Sequence, residues 1–317
     1  MGIETENKSI INLGSNPEQE TKTYNINVDN FIKKYKVEDQ KTIEVLRDFP
    51  TLCYLLGNVT EEPQGTDSSP DGINRHIFYL TEGSGMFGLK NPEDAQRWKG
   101  IFNHIMGSSR HVYFLSEKIN ASTANQKQEL FDLGFDINSL RQINPKILRD
   151  FMFVNHAARR RFDERKWHNL RDDAHPEGES EDLTTNLLLE NDAPEELINL
   201  MRAENHTYLT TLGRNNYLPN LSINILTYGD WTFGQKPVTI KERFTQLRKS
   251  RRQPEVVLNK LENFALYFEK SIKKIFGESI FSDMIKSGPY RWETKIRDAY
   301  CSASGLTIED VFPSYRR

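Results

Sequence analysis

Apolar residues at helical spacing are the feature that most restricts how this chain can fold. In residues 254–276 they recur every three or four positions, and lysines fall between them. This period places the apolar side chains on one face of an α-helix, which must then pack against a core. The face consists of Val257, Leu258, Leu261, Phe264, Ala265, Phe268, Ile272 and Ile275. The same period recurs along most of the chain, so the sequence predicts an all-α fold.

Three regions follow from where this periodicity holds. Residues 1–35 are rich in Asn, Glu, Lys and Thr and show little period, so we expect a disordered, mobile N-terminal arm. Residues 36–253 carry several helical segments and are predicted to form the main helical domain. Residues 254–317 are predicted to be a C-terminal helical extension packed on that same domain.

Two local signals predict where helices begin. Asn144 precedes Pro145, and proline is favoured in the first turn of a helix. Thr239 is followed three residues later by Glu242, which is the spacing of a capping box. We therefore expect one helix to start near Asn144 and another directly after Thr239.

Charge, hydropathy and cysteine usage exclude several classes of protein. The net charge is −3, which provides no general attraction to nucleic acid or to an anionic membrane. No apolar run approaches the roughly 18 residues of a membrane span, and the N-terminus lacks the pattern of a secretory signal. Cys53 and Cys301 form no metal or redox motif and are interpreted as reduced thiols. The sequence predicts a cytoplasmic protein with neither a membrane nor a nucleic acid as partner.

A glycine motif in the first third of the chain does not predict a dinucleotide site. Gly83, Gly85 and Gly88 have the spacing of the dinucleotide fingerprint. That fingerprint needs a strand before it and a helix that opens inside it, and this sequence provides no such βαβ unit. The segment is interpreted as a flexible loop, and no organic cofactor is predicted.

A segment near the middle of the chain collects the residue types of an active site. The apolar run 151–154 is followed by His156 and then by three arginines, Arg159, Arg160 and Arg161. Arginine matches phosphate oxygens bidentately, so these side chains could bind a phosphate group. The alternative is that they pair with acidic neighbours in the same segment, which are Asp150, Asp163 and Glu164.

Three stretches taken together resemble the HD superfamily of metal-dependent phosphohydrolases. They are NHIMGSSRHVYFLSEKI (103–119), FMFVNHAARRR (151–161) and ILTYGDWTFGQKPVTIKERFTQL (225–247). In that family a histidine opens one helix, a His-Asp pair ends a second helix, and an aspartate ends a later one. The resemblance covers about residues 95–250 and implies an HD-type helical bundle.

The resemblance also implies a set of metal ligands. His104, His156 and Asp230 stand where the family has its two motif histidines and its last aspartate. His111 is the alternative for the first histidine, because a similar pattern starts there as well. Two imidazoles and one carboxylate can bind a divalent ion such as Mn, Fe, Co, Mg or Zn on one side and leave other positions open. Arg160 falls where the family often has a lysine, so it is the first candidate for contacting the phosphate, with Arg159 beside it.

One residue departs from the family pattern in a way that matters for activity. Ala157 occupies the position of the aspartate in the His-Asp pair. In the family this carboxylate is a central ligand, and alanine has no donor atom to replace it. His206 is the candidate to compensate, because some family members bind metal through an extra histidine between the second and third motifs.

Two functional hypotheses follow from the resemblance. The first is a metal-dependent phosphohydrolase site for a nucleotide or another small phosphate ester. The second is a degenerate HD domain that binds an anionic ligand, or acts as a scaffold, without chemistry. Metal uptake discriminates between them, and the sequence leaves both open.

Overall fold

The computed structural model describes residues 28–35, 40–48, 100–136, 143–154, 185, 189, 195–204, 220–234, 236–250 and 254–304. Eleven helices lie in these ranges. The first six are α1 (Val28–Tyr35), α2 (Gln40–Asp48), α3 (Gly100–Asn120), α4 (Ala124–Asp132), α5 (Pro145–Val154) and α6 (Glu195–Glu204). The others are α7 (Leu221–Trp231), α8 (Ile240–Ser250), α9 (Glu255–Phe276), α10 (Ile280–Lys286) and α11 (Arg291–Ser304).

Helix is the regular structure of these ranges, which confirms the predicted all-α class. The described residues contain no β-strand, and an isolated bridge joins Phe233 to Pro237. Within the same ranges, no helix combines the length and the apolar character needed to cross a membrane.

The core is built around α3, which packs against α5 on one side and α7 on another. Its sequence is apolar over more than one face, so it can be covered by several neighbours. These helices contribute buried side chains to one core, among them Ile105, Met106, Val112, Leu115 and Ile119 of α3, Ile147, Leu148 and Phe151 of α5, and Leu221, Ile225 and Leu226 of α7. Each side chain of this size stabilises the fold by about 1.5–3 kcal/mol when fully buried, so this three-helix contact is a main source of stability.

Glycine lets α3 and α7 approach closely. A Cβ atom added at Gly229 of α7 would lie 2.4 Å from Cγ2 of Val112, and one added at Gly107 of α3 would lie 2.2 Å from the ring of Phe233. Ser108 and Ser109, also on α3, are completely buried. Gly107 and this serine pair thus allow α3 to pack closely against the end of α7 and the turn after it.

Both predicted helix starts are confirmed. Asn144 accepts hydrogen bonds through its side-chain oxygen from the backbone N–H groups of Lys146 (3.1 Å) and Ile147 (3.2 Å). Thr239 and Glu242 form the expected capping box: the Thr239 backbone N–H donates to the Glu242 carboxylate at 2.8 Å, and the Glu242 N–H donates to the Thr239 hydroxyl at 3.2 Å. Because these bonds satisfy backbone donors that a helix leaves unpaired, they fix where α5 and α8 begin.

The predicted N-terminal arm is wrong for its last eight residues. Residues 28–35 form α1, although the sequence predicted a mobile arm through residue 35. Val28 and Ile32 lie one turn apart and pack against the core, and Asp29 forms an exposed ion pair with Arg47 of α2 at 3.0 Å. Two apolar residues among polar neighbours are too short a pattern to identify a helix from the sequence. In the folded protein they are enough to stabilise α1, because α2 provides a surface against which it packs.

The C-terminal helices contribute to the same core. Leu258, Leu261, Ala265, Phe268 and Ile272 of α9 are buried, as the amphipathic pattern predicted. Further along the chain, α11 packs against α2, and the short helix α10 packs against α3 and α9. The sequence did not predict α10, whose seven residues span only two turns.

Candidate functional site

The structure describes two of the four predicted metal ligands. His104 lies near the start of α3, and Asp230 lies in the last turn of α7. His156 and His206 lie outside the described residues, each two positions after the end of α5 or α6. Arg159, Arg160, Arg161 and Ala157 also lie outside them, as does the glycine motif at 83–88.

His104 and Asp230 are brought into direct contact. Nε2 of His104 lies 2.9 Å from Oδ1 of Asp230, although the two residues are 126 positions apart in the sequence. Their side chains are 10% and 18% exposed, so the pair is largely shielded but still reached by solvent. Two ligand atoms bound to one ion at about 2.1 Å would lie about 3 Å apart when they meet at a right angle, so this spacing suits shared coordination as well as a hydrogen bond.

The other ring nitrogen of His104 is held by the backbone. Nδ1 is within hydrogen-bonding distance of the Phe233 carbonyl oxygen, and the Ser108 hydroxyl lies 3.5 Å from the same nitrogen. A carbonyl only accepts hydrogen bonds, so Nδ1 must carry the proton and donate it. This is the orientation of metal-binding histidines, which commonly donate the second N–H to a backbone carbonyl or carboxylate.

The proton on Nδ1 determines which groups Nε2 can bind. With the proton on Nδ1, a neutral imidazole turns the lone pair of Nε2 toward the negative Asp230 carboxylate. Two acceptors at 2.9 Å repel each other unless a positive charge lies between them. Either a second proton lies between Nε2 and the carboxylate, or a cation is shared by the two side chains. The geometry therefore defines a place for one unit of positive charge or more.

The last turn of α7 supplies Asp230 to His104, and the turn that follows α7 supplies the Phe233 carbonyl. The Phe233 N–H reaches back to the Asp230 carbonyl at 3.4 Å, and the Val238 N–H donates to the Thr232 carbonyl at 3.0 Å, which closes the turn. The sequence indicates Asp230 but not Phe233, because a backbone carbonyl has no signature in residue type. The available signal was Gly107, whose missing side chain leaves room for the Phe233 ring.

His111, the alternative motif histidine, occupies a different environment. Its Nδ1 lies 3.0 Å from the hydroxyl of Thr232, which donates its own proton to the Tyr228 carbonyl at 2.9 Å and so accepts from the ring. The ring of His111 also meets the edge of the Phe233 ring at a centroid distance of 5.3 Å. Burial, together with the charge of Arg110, lowers the pKa of His111 to about 3. It is a neutral core residue, and His104 is the histidine that contacts Asp230.

Lys236 and Arg243 are two basic residues that follow Asp230 in the chain. Lys236 is exposed, and its charge is the smallest of the causes that lower the pKa of Glu242, after the hydrogen bonds from Thr239. Arg243 is half-buried, and its Nε–H has no hydrogen-bond partner among the described residues. Asp150, considered as a partner for the arginine cluster, is buried and pairs with Arg149 at 2.6 Å.

The described ranges contain no group of three or more His, Cys, Asp or Glu side chains that could hold an ion. Two candidate ligands, His104 with its oriented imidazole and Asp230, are thus the part of the site that the structure describes. The chain matches no protein-family model, no curated protein and no solved structure.

Proposed function

We propose that residues of about 95–250 form an HD-type domain whose site binds a divalent metal and acts on a small phosphate ester. The observation that supports this most is the contact of His104 with Asp230 at 2.9 Å. These residues come from the first and the third of the three family-like stretches, and the resemblance predicts that they share one ion. An arbitrary pair of residues 126 positions apart would have no reason to meet.

His104 is suited to the role of a ligand. Its Nδ1 donates to the Phe233 carbonyl, which leaves Nε2 as the donor atom for a cation. Asp230 supplies the negative charge at the same point. An imidazole and a carboxylate suit several first-row divalent ions, so the metal could be Mn, Fe, Co or Zn, or Mg with fewer nitrogen ligands.

The proposal requires His156 to reach the same point. Arg149 of α5 lies close enough to Tyr113 of α3 to affect its pKa, and Tyr113 is nine residues after His104. His156 is seven residues after Arg149. α5 packs against α3, the helix that carries His104, and His156 follows the end of α5 by two positions in the sequence. This packing supports coordination by His156.

The remaining roles follow from the same resemblance. A bound divalent ion would polarise a phosphoryl oxygen and lower the pKa of a water ligand. Arg160, with Arg159 beside it, would neutralise charge that develops on the phosphoryl group. His206 would supply a further ligand in place of the carboxylate that is missing at Ala157.

Metal uptake is the first test of this proposal. Purified protein should bind about one equivalent of Mn²⁺ by calorimetry and hydrolyse p-nitrophenyl phosphate or its diester when that metal is present. His104→Ala should abolish both, because it removes the oriented donor. His111→Gln is the matched control: it also removes a histidine from α3, and it should retain metal binding because His111 contacts Thr232 rather than Asp230.

A parent protein that takes up none of Mn²⁺, Fe²⁺, Co²⁺, Zn²⁺ or Mg²⁺ and cleaves no phosphoester would overturn the proposal. Equal metal uptake by the parent and by His104→Ala would overturn the assignment of the site, even if activity were found.

A second candidate function is favoured by Ala157. Without the paired carboxylate, the domain would bind an anionic ligand through Arg159 and Arg160 and perform no chemistry. Ala157→Asp discriminates between the two. Metal binding that appears only in this variant supports the non-catalytic function, and stoichiometric binding by the parent excludes it.

A further inference from the structure

A second concentration of charge lies where α2, α5 and α11 meet. These helices surround a cavity of about 390 Å³. Its lining consists of Arg47 and Asp48 from α2, Lys146 and Arg149 from α5, and Arg291, Trp292 and Lys295 from α11. We call it the basic cavity. Three segments that are far apart in the sequence thus contribute five cations and one carboxylate to one space.

The basic cavity is positive in a chain that is negative overall. Asp29 and Asp150 are not part of the lining but pair with Arg47 and Arg149, and Asp48 pairs with Lys295 at 2.5 Å. When all three carboxylates are counted against the five cations, a surplus of two positive charges remains, whereas the whole chain carries −3. Positive charge gathered in a concave, partly desolvated space attracts anions more strongly than the same charge on an open surface.

Arg149 is the most buried of the cations that line the basic cavity. It is 5% exposed, and its guanidinium donates to Asp150 at 2.8 Å and to the Asp48 carbonyl at 3.2 Å. The guanidinium carbon also lies 5.4 Å from the ring centroid of Trp292. An arginine held from several sides keeps its charge in place, so little ordering is needed when an anion arrives.

Two lining cations have no acidic partner in the described part of the chain. Lys146 and Arg291 are both exposed, and neither forms an ion pair there. They sit at the starts of α5 and α11. An incoming anion can therefore be contacted by Lys146 and Arg291 without the loss of an ion pair between described residues.

The volume and the charge together indicate the ligand class. Small-molecule pockets span about 300–1,000 Å³, so 390 Å³ suits a compact molecule rather than a peptide or a nucleic acid strand. Arginine and lysine together bind phosphate well, because the guanidinium matches its oxygens and the ammonium adds a point charge. We propose that the basic cavity binds a small, multiply charged phosphate compound, and that Lys146 and Arg291 are the residues that contact it.

This site is separate from the one at His104 and Asp230. Trp292 of the basic cavity meets Tyr113 of α3 at a ring-centroid distance of 6.1 Å. Tyr113 lies nine residues after His104, which is about 13 Å along the helix axis. The proposal therefore does not depend on any chemistry at His104.

A ligand in the basic cavity would add contacts between α2 and the helices α5 and α11. Arg47 and Asp48 reach the cavity from α2, while the other lining residues belong to α5 and α11. A ligand that binds only the folded protein stabilises it by an amount that grows as its concentration rises above its Kd. Binding should therefore raise the melting temperature of the protein.

The test uses the full chain and inorganic pyrophosphate as probe, at about 0.15 M salt so that exposed charges are screened. Calorimetry should show binding of pyrophosphate by the parent. The double variant Lys146→Ala/Arg291→Ala should weaken it about tenfold or more, because two charge-assisted contacts are removed. The matched control is Lys260→Ala/Lys270→Ala, which removes two exposed lysines of α9 and should change the Kd less than about twofold.

Four outcomes would overturn the proposal. The first is a parent that binds no pyrophosphate. The second is an equal loss of affinity in both double variants, which would mean that net charge alone drives binding. The third is loss of binding in His104→Ala together with full binding in Lys146→Ala/Arg291→Ala, which would place the anion at the other site. The fourth is citrate bound as tightly as pyrophosphate, which would refute the preference for phosphate.

Discussion

Two histidines on one helix show how strongly environment decides the role of a side chain. His104 and His111 are seven residues apart on α3, so they lie two turns apart on the same face, toward α7. His104 meets the carboxylate of Asp230 and the carbonyl of Phe233. His111 meets a hydroxyl, that of Thr232, and the edge of an aromatic ring. The surroundings of His104 favour a positive charge, whereas those of His111 exclude one.

The difference comes from the end of α7 rather than from α3. Asp230 and Thr232 are two positions apart at the end of the same helix, and each faces one of the histidines. The two histidines are alike in sequence terms, and either could have opened the first motif. Their roles differ because Asp230 faces His104 and Thr232 faces His111.

The largest expected effect is the loss of metal affinity when the negative charge of Asp230 is removed. Asp230→Asn keeps the shape of the side chain but loses its negative charge, so Mn²⁺ affinity should fall about 100-fold or more. Thr232→Ser is the matched control, because it retains the hydroxyl that accepts from His111. Calorimetric titration of both variants checks this, and similar affinities would contradict it.

His111 should make the stability of the folded protein depend on pH. Burial lowers the pKa of His111 from its ordinary value of 6.5 to about 3 in the folded protein, so between these two pH values the unfolded chain binds a proton that the folded chain does not. Stability is therefore fully present above about pH 6.5 and is lost as the pH falls, by up to about 1.4 kcal/mol per pH unit.

Urea unfolding at about pH 7.5 and 4.5 measures this loss against His111→Gln, which cannot titrate. The parent should lose about 2–3 kcal/mol more than the variant between the two pH values. Equal losses would mean that His111 is protonated in the folded state.

The close approach that positions both histidines can be tested at Gly229. Gly229→Ala places a methyl group 2.4 Å from Cγ2 of Val112 and should reduce the free energy of unfolding by about 1–3 kcal/mol. Gly234→Ala is the control, since its nearest neighbour would be the Lys236 carbonyl at 3.9 Å. Adding Val112→Ala to Gly229→Ala should recover part of the loss, and two additive losses would argue against the clash.

The smallest effect is expected from Ser108→Ala. The Ser108 hydroxyl is 3.5 Å from Nδ1 of His104, which is long for a hydrogen bond, whereas the Phe233 carbonyl is nearer. Metal affinity should therefore change less than about twofold, since Phe233 already orients the ring. A tenfold loss by the same titration would mean that Ser108 orients it instead.

The helices and several of their boundaries could be predicted from local patterns. The apolar face of α9 and the capping box at Thr239 depend on residues within a few turns, which the sequence shows directly. The helix α1 could not be predicted, because Val28 and Ile32 are helical only with α2 to pack against. Local signals identify an element when its stability is local.

The candidate site could be predicted in part for a similar reason. His104 and Asp230 were identified by residue type and order, and the structure brings them together, while the function inferred from them stays a prediction. The Phe233 carbonyl was missed because any residue has one. The basic cavity was missed because its cations come from three segments whose meeting depends on the packing of α2 and α11.

Phe233 contacts both histidines, so a change at His104 can be detected at His111. Its carbonyl faces His104, its ring lies over Gly107, and the edge of that ring meets His111. Any event at Nε2 of His104 that shifts the turn also shifts an aromatic ring 5.3 Å from the His111 imidazole. The ring protons of His111 are therefore a built-in spectroscopic reporter, and their NMR shifts should record occupancy of the neighbouring site.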